Sequence, residues 1–97
     1  MRTVVYHPKV PAEVRAFLDH YAAILSDLGD SFWEELTEVI DYARDHPERH
    51  HFDRTGRRRS NLKRFPIHIL FRILPGMIRV TAVRHAKQDP GYGSARR

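Results

Sequence analysis

The stretch RFPIHILFRILPGMIRVTAVRH, Arg64 to His85, decides how the chain is read. Two apolar-rich runs flank Pro75-Gly76, a strong turn signal. Val, Ile, Phe and Thr dominate both runs, as expected of strands half-buried in a sheet. The pattern predicts a β-hairpin. With the turn centred on Pro75-Gly76, Ile73 faces Ile78, Phe71 faces Val80, Ile69 faces Ala82 and Ile67 faces Arg84. Side chains alternate along a strand, so these pairs share one face, which is apolar except at its far end and should cover a core. The other face then carries His68, Leu70, Arg72, Arg79, Thr81, Val83 and His85. Arg72 and Arg79 become direct neighbours. Like charges so placed cost stability; either an anion or carboxylate sits between them or they splay into water. Proline cannot supply the positive φ of the favoured two-residue hairpin turns, so a type II turn or a longer loop is expected.

Outward from the hairpin, the chain has 97 residues, room for one domain over 1–97. A hydrophobic content of 41% supports one small core. No run approaches the roughly 18 apolar residues of a membrane span, and MRTVVYHPKV lacks the apolar core of a secretory signal. Cysteine is absent, which leaves no disulfide framework and no thiolate chemistry. A cytoplasmic protein is expected. Charge divides unevenly along the chain. Residues 1–53 hold 5 Lys/Arg and 11 Asp/Glu, a balance of −6; residues 54–97 hold 12 and 1, a balance of +11; together they give the net +5. A basic half of this kind attracts phosphate backbones or an acidic protein partner. Neutralisation within the fold is the plainer reading, but the basic half outweighs the acidic one.

Upstream, Arg2 to Tyr6 is a short strand candidate, stopped by His7-Pro8. Pro11 suits a first helical turn. Val14, Phe17, Leu18, Tyr21, Ile24, Leu25 and Leu28 then recur at helical spacing, with Gly29 as the expected stop. Asp30 or Ser31, the latter in an S-x-x-E capping pattern with Glu34, begins a second amphipathic helix that must end near His46, ahead of Pro47. So short a connection implies an antiparallel helical hairpin. Trp33 is read as core or helix packing. Residues 47–59 read as a polar loop, with a basic cluster at Arg57 to Arg59, and residues 60–65 as a further strand. His46, His50 and His51 suggest metal ligation, but Pro47 breaks the helical face that would align the first two, so no metal or cofactor is expected. The tail, about 90–97, is rich in turn and small residues and is expected to be mobile. The order is β-α-α-β-β-β: an α+β fold, an antiparallel helical hairpin packed on one face of a small, largely antiparallel sheet, with the basic far face open.

Four segments carry a family resemblance: YHPKV at Tyr6–Val10, LGDSFWEEL ahead of and within the second helix, LKRFPIHILFRI at Leu62–Ile73, and IRVTAVRHAKQDPGY at Ile78–Tyr92. The pairing of RFP-x-x-x-x-F-R with A-V-x-H-x-x-x-D-P resembles the RelE/ParE superfamily, the toxins of type II toxin–antitoxin modules. The resemblance implies growth arrest by free protein and silencing by a cognate antitoxin whose flexible acidic segment wraps the toxin. Two targets follow from its branches. A ParE-like protein poisons DNA gyrase without catalytic residues, and the RHAKQDP ending favours this branch. A RelE-like protein cuts messenger RNA in the ribosome without a metal. On that reading Arg72 stabilises transition-state charge, His85 is the acid or base, Tyr92 stacks on a base, and Lys63 and Arg64 contact phosphate. Arg64, Lys63, His68, Arg79, Arg84 and Lys87 form the target-binding set. His68 stands where the nucleases of the superfamily typically have arginine, and the lysine–arginine set is thinner. Contact with DNA is expected only through the antitoxin complex. A basic nucleic-acid-binding module, or an inactive family member, is the remaining alternative; the chain has no helix-turn-helix, zinc-finger or RNP pattern.

Overall fold

A computed structural model describes residues 2–97, in the order β1 (Thr3–Tyr6), α1 (Val10–Ile24), α2 (Ser26–Asp45), β2 (Arg58–Asn61), β3 (Ile67–Leu74) and β4 (Met77–His85), with a single 3-10 turn at Pro47–Arg49. The sheet order is β1-β4-β3-β2. β2–β3 and β3–β4 are antiparallel, and β1 runs parallel to β4, so the sheet is mixed with an antiparallel majority. The helical hairpin covers one face. Phe32, Leu36, Ile40 and Ala43 of α2 meet Ile67, Ile69, Phe71, Ile78, Val80 and Val83 of the sheet in one core, with Phe17 and Tyr21 of α1 packed against it. Tyr21, Phe32 and Phe65 close its end in edge-to-face and tilted contacts at 4.7–5.6 Å between ring centroids.

The two helices join through one residue. Leu25 alone is extended (φ −161°, ψ 130°), and α2 begins at Ser26, so Gly29 lies inside α2 rather than ending α1. Its role is contact: a Cβ there would come within 2.9 Å of the Ala22 Cβ. The capping pattern at Ser31 is therefore not used. The hydrophobic stripe continued through the turn, and the sequence signal for a stop was a packing glycine. Trp33, expected in the core or in helix packing, is 53% exposed. The strand expected at 60–65 is shifted: β2 ends at Asn61, and the segment after it turns.

The hairpin register holds near the turn and slips beyond it. Leu74 pairs with Met77, Ile73 with Ile78, Arg72 with Arg79 and Phe71 with Val80. Gly76 takes φ +69° after Pro75, as a type II turn requires. Then a β-bulge intervenes: Leu70 pairs with Ala82, Ile69 with Val83, His68 with Arg84 and Ile67 with His85. Thr81 is the extra residue, and its hydroxyl donates to the Leu70 carbonyl at 3.3 Å. One inserted residue inverts every later side chain. Val83 therefore enters the core and Arg84 goes to the far face, the reverse of the uninterrupted register, while His85 lies on the helix side opposite Ile67.

The far face is not open: the tail lies across it. The Cβ of Ala82 lies only 3.0 Å from where a Cβ on Gly93 would stand, so the tail crosses the sheet in close contact. Main-chain oxygens of Pro90, Tyr92, Arg96 and Arg97 accept hydrogen bonds from Arg84, Arg57 and Arg79. A buried ion pair, Arg96 Nη1 to Glu13 Oε2 at 2.6 Å, pins the tail to α1. Burying main-chain carbonyls against arginine donors gives this segment a seat that its turn-rich composition did not reveal.

Candidate functional site

On the far face, Arg84 is the centre of a buried polar knot. It is 3% exposed, and all three of its nitrogens are engaged. Nε donates to His68 Nε2 at 2.7 Å; Nη1 donates to the carbonyls of Pro90 (2.7 Å) and Tyr92 (3.1 Å); Nη2 pairs with Asp53 Oδ2 at 2.8 Å. Burial tends to raise the Asp53 carboxyl, but hydrogen bonds from the Thr55 hydroxyl and amide, with the Arg84 and Arg59 charges, hold it below the usual carboxylate range. Burial, followed by the charges of Arg59 and Arg84, pushes His68 down to about 4. His68 is thus neutral at neutral pH. Because Nε2 accepts from Arg84, its proton resides on Nδ1, which has no partner among the described residues. Beside the knot lies a polar cleft of about 500 Å³, lined by His51, Arg54, Arg59, Asn61 and Gln88 as well as the knot residues.

Toward the hairpin turn, the same face carries Arg72 and Arg79 as cross-strand partners. Arg57 immediately precedes β2, whose first residue, Arg58, pairs with Phe71. Arg79 and Arg72 are half-buried. The remaining expected site residues scatter. Lys63 and Lys87 are exposed. Arg64 turns toward α2, where its amide donates to Glu35 Oε1 at 3.0 Å and its Nε lies 3.4 Å from Oε2. His85 Nδ1 accepts the Lys87 amide at 3.0 Å, on the helix side. The Tyr92 hydroxyl donates to Glu13 Oε2 at 2.5 Å.

Arg72, His85 and Tyr92 therefore do not assemble into one catalytic cleft. Arg72 and His85 are on opposite faces, and their levels are five positions apart along β3, from Arg72 to the His85 partner Ile67, roughly 17 Å at strand rise. The bulge at Thr81 is the reason. His68 and Arg84, expected as contact residues, are buried. Asp53, Arg59 and Glu13 were missed; only the basic run at Arg57–Arg59 hinted at one of them, and no local pattern marks the two acids. His46 and His50 are occupied in packing: His50 Nδ1 lies 3.2 Å from the His46 carbonyl, and its ring stacks edge-on to Tyr42 and Phe71.

The other exposed feature is apolar. A groove of about 740 Å³ runs between α1 and α2, with Tyr6 of β1 at its wall. Tyr6, Val10, Val14, Leu18, Trp33 and Leu36 line it, with Asp30, Asp41 and Arg15 among its polar lining. Trp33 belongs to this groove, which explains its exposure. No helix of the described residues is long and apolar enough to cross a membrane.

The architecture is a helical hairpin on one face of a four-stranded mixed sheet, with a short parallel strand at one edge. The chain is similar to a solved structure described as the chromosomal ParDE TA system from P. aeruginosa. The two superpose with a TM-score of 0.74 at 18% identity, covering 88% of this chain and 96% of that one. No family profile and no curated protein matches the chain.

Proposed function

We propose that this protein is the toxin of a type II toxin–antitoxin pair, arresting growth when free and silenced by a cognate antitoxin. The observation that carries the proposal is the likeness of fold over nearly the full length of both chains, joined to the sequence motifs already described. The helical groove supplies the partner's seat. An amphipathic helix placing apolar side chains along Trp33, Leu18 and Val14 would bury the exposed apolar lining of that groove. Basic residues flanking that helix would meet Asp30 and Asp41, and an acidic stretch beyond it would meet the arginine-rich half of the chain.

Between the two targets, the geometry supports a ParE-like gyrase poison over a ribosome-dependent nuclease. The residues that a nuclease would need lie on opposite faces, and the histidine nearest the arginines is neutral and buried. Regulated expression in a bacterial host tests both levels. Arrest relieved by a co-expressed antitoxin supports the toxin reading, and unimpaired growth removes it. Filamentation with an SOS response identifies gyrase as the target; codon-positioned cuts in messenger RNA would replace that reading with the nuclease one.

A further inference from the structure

The contacts that hold the tail to α1 converge on one carboxylate. Glu13 Oε2 accepts from Arg96 Nη1 at 2.6 Å and from the Tyr92 hydroxyl at 2.5 Å, and Glu13 Oε1 accepts the Val83 amide at 3.1 Å. The Arg96 guanidinium also lies over the Tyr92 ring, 4.8 Å from its centroid, and donates to the Thr81 carbonyl at 3.2 Å. These contacts fall where β1 stops. β1 pairs with β4 only from Met77 to Val80. Beyond Val80, side chains stand on the outer edge of β4 in place of a strand: Arg96 on Thr81, Glu13 on Val83 and Gln88 on His85. On the far face, Arg84 and Arg57 hold the carbonyls of Pro90, Tyr92 and Arg96. No tail residue belongs to the apolar core. Leu70 and Ala82, cross-strand partners on the far face, are fully buried although they too lie outside that core, and Gly93 stands over Ala82.

We propose that residues 89–97 form a strap, latched to α1 through Glu13, that opens from the far face as one unit while the core stays folded. A segment fastened by a few polar contacts, and contributing nothing to the core, opens at a lower free energy than the strands beneath it. Closed, the strap occupies Arg84 Nη1 and covers Ala82; open, it leaves both accessible, together with the Thr81–Val83 edge of β4. The latch acts as a unit because its donors share one carboxylate. Without Arg96, the Glu13 side chain, 8% exposed, is a buried charge with no cation beside it. The rest of the knot does not open with the strap, since Arg84 keeps Asp53 and His68, neither of them in the tail. The strap does not depend on the toxin reading.

The test is amide hydrogen exchange of the full-length protein at increasing guanidinium chloride, joined to amide chemical shifts of two variants. The Tyr92, Ser94 and Arg96 amides donate to carbonyls of the tail's own turns. They should exchange at least tenfold faster than the Ile69 and Phe71 amides of β3, at a rate nearly independent of denaturant, because opening the strap exposes little surface. Glu13→Gln keeps an oxygen for the Val83 amide and removes the charge. Arg96→Met breaks the latch from the tail side, where it cannot disturb the core directly. Each should speed exchange at Tyr92 and Ser94 at least tenfold and move their shifts toward free-chain values, with the β3 shifts unchanged. The two together should add little to either alone, since both remove the same pair. The proposal is overturned if the parent's tail amides show the denaturant dependence of the β3 amides, or exchange at free-chain rates with no latch to lose. It is overturned equally if both variants keep native tail shifts, or if Arg96→Met disperses the β3 shifts along with those of the tail.

Discussion

Replacing Arg84 with methionine separates a structural reading of the far face from a contact-surface reading. The substitution removes four hydrogen bonds at once, to Asp53, His68, Pro90 and Tyr92. It leaves the Asp53 carboxylate, whose side chain is 6% exposed, with only Thr55 as a close partner. Breaking a buried pair from one side costs about 3–5 kcal/mol, because the remaining charge stays desolvated. A domain of this size has a total stability on the order of 5–15 kcal/mol, so the loss is a large fraction of it. At about 4–8 °C per kcal/mol, the melting temperature should fall by at least about 12 °C. The Arg84→Met, Asp53→Leu double variant should recover part of the loss, since removing both charges is far less costly than removing one. Urea denaturation at pH 7 and thermal melts of the four proteins measure the cycle. An Arg84→Met variant within about 1 kcal/mol of the parent would refute the reasoning, because the knot would then have to be solvated. Arg72→Ala provides the contrast: lacking an ion pair, it should change stability by no more than about 0.5 kcal/mol.

Three further outcomes are expected. His68 has a folded pKa of about 4, below its unfolded value, so the unfolded chain takes up a proton that the folded chain refuses as pH falls from about 6.5. Stability should decline across that window by up to about 3 kcal/mol, and His68→Leu should flatten the decline in pH-dependent melts. Gly29→Ala ordinarily gains about 1 kcal/mol in a helix interior, but here its Cβ would press on Ala22 at 2.9 Å. The variant should lose about 1–3 kcal/mol, and Ala22→Gly should restore it in the same melts. Deleting Thr81 removes the bulge and returns Arg84 toward the core and Val83 toward the tail; the protein should fail to give a dispersed amide spectrum, and a native-like spectrum would show that the bulge does not set the facing.

Local physics along the chain determined much of this protein. Helical spacing, Pro47 and the Pro75-Gly76 turn were enough for the β-α-α-β-β-β order, and the hairpin register near the turn followed from alternation alone. The apolar positions Ile67, Ile69, Phe71, Ile78 and Val80 were recognisable as core because each repeats at a period of two. What only the tertiary structure decided begins at Thr81. A single extra residue carries no compositional mark, yet it exchanged the faces of Val83, Arg84 and His85 and separated the groups expected to act together. Gly29 gave the signal of a helix end because close packing and chain termination both favour glycine, and only the approach of Ala22 distinguishes them. The tail's seat, the Asp53–Arg84 pair and the Glu13–Arg96 pair join residues 31 to 83 positions apart. Pairings over such distances are set by the packed fold, where burial makes an unpaired charge costly, and no local pattern records them.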